Sequence, residues 1–304
     1  MKTNNFYIYG SVVMSMLFWG MSFVWTAIVL ETYPPITIIF LRLLISTAVL
    51  FLWLKIFGKF KKIKKEHYKL FLLSALFNPF FYFIGENYGV KLTSPTISAV
   101  IIATIPLVVP VFAWIWLKEK LGILNILGLL VSFVGIMIML LDDNLSFEAN
   151  PLGVAALIFA VISAVGFAIL LKKLSSHYSP MLIIAVQNLL GLFFFLPIFL
   201  GFEFSNFLSI KPDVRVITSL LALAILCSSL AYIGFTLATR EIGVSRTNIF
   251  ANLIPVSTAI FSFLIIGEEI NSQKILGIAI VILGLFFSQL KKNKSLFGIE
   301  THKI

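Results

Sequence analysis

Three polar side chains in an otherwise apolar stretch, Asn78, Tyr82 and Glu86, recur every four residues and so belong on one face of a helix. Ser228, Tyr232 and Thr236 repeat that spacing, and Asn248 and Asn252 stand one turn apart with Pro255 on the same side. Hydroxyls, amides and a carboxylate at such positions can bind a small solute by hydrogen bonds, or hold helices together through the same bonds. Trp19 adds an aromatic surface. Pro106, Pro110 and Pro255 lie inside apolar stretches. A proline there removes a backbone donor and frees a carbonyl about one turn earlier, which bends a helix or exposes backbone polar groups to a cavity.

Two charged residues, Arg42 and Glu86, fall clearly inside apolar stretches. Counting ~1.5 Å per residue from the ends of their stretches puts both roughly 6–9 Å below the same surface. The expectation is a buried ion pair or a site for a proton or a substrate charge near that surface; Arg42 reaching outward is the third possibility. No cluster of histidine, cysteine and acid with metal-ligand spacing occurs, so no metal and no cofactor is expected. His67, His177 and His302 all fall outside the apolar stretches, each expected as a solvated loop residue, and the lone Cys227 rules out a disulfide within the chain.

The elements that position these residues follow from composition. The chain has 304 residues, 60% of them hydrophobic and 12% charged, with a mean hydropathy of +1.06. A soluble domain cannot bury that much apolar surface. Ten spans of the ~20 residues needed to cross a bilayer are expected. They run near Tyr9–Val29, Ile36–Ile56, Lys69–Val90, Thr96–Leu117, Ile123–Leu141, Leu152–Leu171, Met181–Leu200, Val216–Ala238, Ser245–Ile266 and Gln273–Leu290. The Leu30–Pro35 stretch after the first span is no small-residue cleavage site, so that span is expected to be retained.

The net charge of +10 sits in short loops, which favours an orienting role in a membrane over nucleic-acid binding. With the N-terminus in the cytoplasm, eighteen lysines and arginines fall inside and four outside, Arg42 lying within a span. Both termini are therefore expected in the cytoplasm, in a multi-pass protein of the plasma (inner) membrane. Glu203 is expected in an outer loop, with Asp142, Asp143 and Glu148.

The chain also repeats itself. A shift of 149 residues lays Ile105-Pro106 on Ile254-Pro255, Glu119 on Glu268, Gly128 on Gly277 and Gly135 on Gly284 without a gap. Ile84-Gly85 falls on Ile233-Gly234. Two five-helix units are expected, at 9–141 and 152–290, with a cytoplasmic tail at 291–304. Five is odd, so the second unit enters the membrane from the opposite side, giving an all-α membrane protein of ten helices in two inverted repeats. The four glycines of the fifth and tenth spans are expected at a close helix contact.

These residues resemble the EamA family of the drug/metabolite transporter superfamily. The likeness is carried by Trp19-Gly20 and Phe23, Arg42, Pro106, the Lys118-Glu119-Lys120 ending with Gly128 and Gly135, and by Pro255, Gly267-Glu268-Glu269, Gly277 and Gly284. It extends from about residue 9 to 290; the polar groups Asn78-Pro79 and Glu86-Asn87 of the third span depart from the usual pattern. The resemblance implies ten helices in two inverted repeats and movement of small metabolites, with a lean towards export.

The polar faces carry no cluster of arginine or lysine, so the expected solute is small and neutral or zwitterionic, an amino acid or related metabolite before a drug-like cation. Its partners would be the lipid bilayer, the solute and a coupling ion such as a proton. A membrane-embedded enzyme would need convergent nucleophile, base and metal groups that the spans do not offer, so no catalytic residue is assigned.

Overall fold

In the computed structural model, residues 5–58, 60–108, 112, 123–140, 149–242, 247 and 249–289 are described. Helix starts follow local chemistry. Four helices have proline at their first position, where its fixed φ and missing N–H cost nothing. These are α2 (Pro35–Ile56), α5 (Pro95–Ile102), α7 (Pro151–Ser175) and α8 (Pro180–Ile198). Ser94, Asn150 and Ser179 cap the last three by accepting from backbone N–H groups one turn on.

Helix α2 follows Pro34, which cannot cap it. The acceptor comes from far away in sequence. Glu203 takes the Thr37 N–H at 2.6 Å, the Thr37 hydroxyl at 2.7 Å and the Ile36 N–H at 3.4 Å. This corrects the reading of Glu203 as an outer-loop residue. The helix begun at Pro180 continues through a wide π segment, Phe199–Glu203, to Ser209, and the carboxylate is buried against α2. A carboxylate at a helix N-terminus meets both the free N–H groups and the positive end of the dipole. Glu203→Ala should therefore lower stability by about 1–3 kcal/mol, the usual cost of unpaired buried donors. Denaturation in detergent checks this; an unchanged midpoint would contradict the cap.

The remaining helices are α1 (Asn5–Leu30), α3 (Tyr68–Ala75), α4 (Tyr82–Leu92), α6 (Ile123–Leu140), α9 (Phe204–Ser209), α10 (Val214–Ala222), α11 (Tyr232–Ile242), α12 (Leu253–Ile266) and α13 (Ser272–Gln289). No strand occurs among the described residues. Among the described residues, six helical runs are long and apolar enough to cross a membrane. Four shorter apolar helices, Pro95–Val108, Ile126–Leu140, Phe250–Ile266 and Ser272–Phe287, lie where the fourth, fifth, ninth and tenth spans are expected. Residues 109–111 and 113–122, with Pro110 and Glu119, lie outside the described residues, as does Asn248.

Burial is arranged as a membrane requires. Phe133, Ile260, Phe263 and Leu276 are exposed, while Ser46, Thr96, Asn87, Gln187 and Thr258 are buried. Lipid accepts the first set, and the second needs partners inside the protein.

The packing reproduces the repeat. Helix α4 lies on α7 as α11 lies on α1, and α1 meets α12 as α7 meets α5. Each of these contacts turns into its mate when the halves are exchanged. The pairs α6–α13, α5–α12 and α2–α8 join equivalent spans of the two halves. The irregular backbone repeats too: π segments at Leu76–Phe81 and Leu223–Ala231 occupy equivalent positions. Glycines stand where backbones approach. A Cβ on Gly85 would come within 2.5 Å of the Ala156 carbonyl oxygen, and one on Gly234 within 2.6 Å of the Ser15 hydroxyl.

Candidate functional site

The two halves enclose a cavity at their interface, with about 110 Å³ open to the centres of water molecules. That is room for several waters or a small solute. Its wall is drawn from α1, α2, α4, α5, α7, α11 and α12, from the segments leading into α4 and α12, and from residues 103–106 after α5.

One end is polar. Arg42 on α2 is 2% exposed and Glu86 on α4 is 5% exposed. Arg42 Nη1 stands 3.6 Å from Glu86 Oε2, close enough for attraction and too long for a hydrogen bond. Arg42 Nε donates to the Ser228 hydroxyl at 2.9 Å, and its guanidinium lies 4.1 Å from the centre of the Phe83 ring. The Tyr82 hydroxyl donates to Glu86 Oε1 at 3.1 Å. Arg42 Nη1 and Glu86 Oε2 make no hydrogen bond within the protein. Each charged group thus has a hydrogen bond on one side and, on the other, only the 3.6 Å approach to its partner. Ser228 is itself fixed: its carbonyl accepts from Asn188 Nδ2 at 3.1 Å, and Ser46 bridges Asn188 and Ser229.

The other end is aromatic. Trp19 meets Tyr232 edge-on and Phe235 at an angle, with ring centres 5.0 Å apart in each case, and Phe167 approaches Tyr232 at 6.4 Å. Asn78 Nδ2 donates to the Tyr232 hydroxyl at 3.1 Å, tying the ring to the third span.

Irregular backbone builds this wall. Asn78 has extended φ and ψ of −146° and 118° beside Pro79, so the third span kinks there. The spacing of four is a helical relationship only between Tyr82 and Glu86; Asn78 reaches the cavity through the kink. The Phe77 carbonyl at this kink accepts from the Ser163 hydroxyl at 2.7 Å. Helix α5 gives way to turns at 103–104 just before Pro106, and Ile102, Ala103, Ile105 and Pro106 all line the cavity.

Pro255 behaves differently from the expectation of a mid-helix break. It sits in the first turn of α12, where proline is tolerated, and the break precedes it as a 3₁₀ segment, Ile249–Asn252. In that segment Ala251 faces the cavity, as Ile254 does from α12, while Asn252 and Pro255 are not among the lining residues. A 3₁₀ turn advances by three residues rather than 3.6, which shifts the face that four-residue spacing from Asn248 would assign.

Sequence reasoning did not single out Ser22, Phe167, Phe235 or Thr239, all of which line the cavity. Phe167 and Phe235 carry no signal among so many apolar neighbours. Thr239, seven residues after Tyr232 and so on the same helical face, was within reach of the pattern.

The EamA-like transporter family model matches the chain twice, at residues 7–141 and 151–290. An uncharacterized transporter, YetK, of Bacillus subtilis (strain 168) is 30% identical over 290 residues, covering 94% of this chain and 88% of the relative. An uncharacterized transporter of Archaeoglobus fulgidus is 26% identical, with 90% and 96% covered. A solved crystal structure superposes with a TM-score of 0.63 at 17% identity, covering 91% of this chain and 98% of the other, a likeness of fold.

Proposed function

The chain belongs to the EamA-like transporter family, and on that premise we propose that it is a secondary transporter moving a small zwitterionic metabolite, such as an amino acid, by alternating access. It is a membrane transporter with a two-repeat architecture; the substrate, the direction and the inverted arrangement belong to the proposal. The observation that carries it is the Arg42–Glu86 ion pair among the residues lining one cavity, with Arg42 Nη1 and Glu86 Oε2 3.6 Å apart and neither in a hydrogen bond.

Among the described residues the lining contains one arginine, one glutamate and no other charged side chain. A wall of zero net charge cannot replace the hydration of a polyanion such as a nucleotide sugar, and stripping an unpaired charge costs several kcal/mol, roughly. A zwitterion brings its own balance. Its carboxylate would complete the donors of Arg42, and its ammonium would complete the acceptors of Glu86. The aromatic end, with Trp19, Phe167, Tyr232 and Phe235, would take the rest of the solute. That end also supports a second reading, a lipophilic cation held over the rings beside Glu86; Arg42 in the same wall opposes it. The resemblance leans the direction towards export.

Flux into proteoliposomes against a panel of solutes tests the reading. Zwitterionic amino acids should be carried saturably, and Tyr82→Ala should cut uptake at least tenfold without loss of folded protein. Saturable flux of a nucleotide sugar or phosphorylated compound, with amino acids inert, would overturn it.

The orientation, with the basic loops and both termini in the cytoplasm, is tested separately. With Cys227 replaced, a cysteine at Asn144 should react with an impermeant thiol reagent in intact cells, and one at Lys62 should not. The reverse pattern would contradict the assigned sidedness.

A further inference from the structure

Away from the central cavity, a second pocket opens at the surface where α2, α7, α8 and α11 end or begin. Its wall consists of Lys61, Arg240, His177, Tyr178 and three serines, Ser175, Ser176 and Ser179. Two permanent cations, an imidazole and four hydroxyls line it, and no carboxylate does among the described residues.

The geometry holds this wall in place without consuming its charge. The Tyr178 hydroxyl accepts the Lys64 N–H at 3.1 Å and pairs with His67 Nδ1 at 2.8 Å. The His67 ring stacks on His177 with centres 4.6 Å apart. The nearby acid Glu66 is engaged with Lys64 at 3.5 Å and approaches His67 Nε2 at 3.8 Å. Lys61 Nζ lies 5.9 Å from the Tyr178 ring centre and has no carboxylate partner among the described residues. Arg240 has one, Glu241, 3.9 Å from its Nε and solvent-exposed, a contact worth little. Lys172 and Lys173 in the last turn of α7 add positive charge beside the pocket.

We infer that this pocket binds a phosphate group whose negative charge is not balanced within its own molecule, with Lys61 and Arg240 as its cationic clamp. Arginine matches phosphate with paired donors and lysine supplies a point charge. The pocket lies at the ends of membrane-crossing helices, on the face that carries most of the basic residues. The phosphodiester of an anionic phospholipid therefore reaches it from the bilayer, and free phosphate reaches it from solution. The inference stands apart from the transported solute, because no residue of this pocket lines the central cavity.

Titration calorimetry on the full chain in a non-ionic detergent tests it, with three probes: inorganic phosphate, short-chain phosphatidylglycerol and short-chain phosphatidylcholine. Phosphatidylglycerol should bind saturably, and Lys61→Gln/Arg240→Gln should weaken it at least tenfold while leaving the unfolding midpoint unchanged. The pair Lys91→Gln/Lys211→Gln, outside the pocket, should bind as the unaltered protein does. Equal binding of inorganic phosphate would identify the source as soluble phosphate, and binding of phosphatidylglycerol alone would identify a lipid headgroup. Three results would overturn the inference: no saturable heat with phosphate or phosphatidylglycerol, equal binding of phosphatidylcholine, or full binding by the Lys61/Arg240 variant.

Discussion

Replacing Arg42 with methionine is expected to abolish transport and to lower stability in detergent by about 3–5 kcal/mol, the range for leaving one member of a buried ion pair alone. Arg42 is among the largest fully buried side chains, held by Ser228 at 2.9 Å and against the Phe83 ring. Without it, Glu86 keeps only the Tyr82 hydroxyl and faces a desolvated cavity as an uncompensated charge. Glu86→Gln should be destabilising for the mirror-image reason. The double variant Arg42→Met/Glu86→Gln removes both charges and should recover most of the lost stability, because neither charge is then stranded. Transport should stay absent in it, because both proposed anchors for the solute are gone. Denaturation midpoints and flux on the four proteins separate the two effects. Additive losses in the single and double variants would contradict the pairing.

Gly135→Leu is expected to prevent α6 and α13 from packing, with loss of most folded protein, and Gly135→Ala to cost about 1–3 kcal/mol through overpacking. A Cβ at Gly135 would stand 2.8 Å from the Gly277 carbonyl oxygen and 2.9 Å from the Val281 nitrogen. Both are backbone atoms, which cannot swing aside. The contact is reciprocal. A Cβ at Gly284 would stand 2.6 Å from the Gly128 carbonyl oxygen, and the Ser132 hydroxyl donates to the Val281 carbonyl at 3.1 Å. Small residues at such a crossing let dispersion and hydrogen bonds act where lipid offers no hydrophobic drive. Gly10 is the control. Nothing lies within 4 Å of a Cβ there, so Gly10→Ala should be neutral or slightly stabilising through helix propensity. Equal losses at Gly10 and Gly135 would contradict a packing role.

How far the sequence discloses this arrangement varies with the physics involved. Apolar runs are written directly in composition, and the 149-residue repeat is visible because glycines at backbone contacts and prolines at helix ends tolerate little substitution. Counting depth from the span ends sets Arg42 level with Glu86, and the two stand 3.6 Å apart. Readings that assume a regular 3.6-residue period go astray where the backbone is irregular. The π segment 199–203 carries Glu203 out of the expected outer loop and onto α2. The 3₁₀ segment 249–252 turns Asn252 out of the cavity wall and Ala251 into it. Apolar lining such as Phe167 is silent in sequence, since nothing but tertiary packing separates it from the exposed Phe159.

The central claim, that the Arg42–Glu86 pair receives the two charges of a zwitterion, is tested most directly by changing those charges one at a time on the solute. Uptake into proteoliposomes would be measured for the amino acid carried best, for its amide, which lacks the carboxylate, and for its N-acetyl derivative, which lacks the ammonium. Loss of either charge leaves a buried partner unpaired, and a penalty of about 1.4 kcal/mol or more corresponds to tenfold or more in affinity. Both derivatives are predicted to be carried at least tenfold less well than the parent. Equal uptake of all three, or preference for the amide alone, would contradict the account.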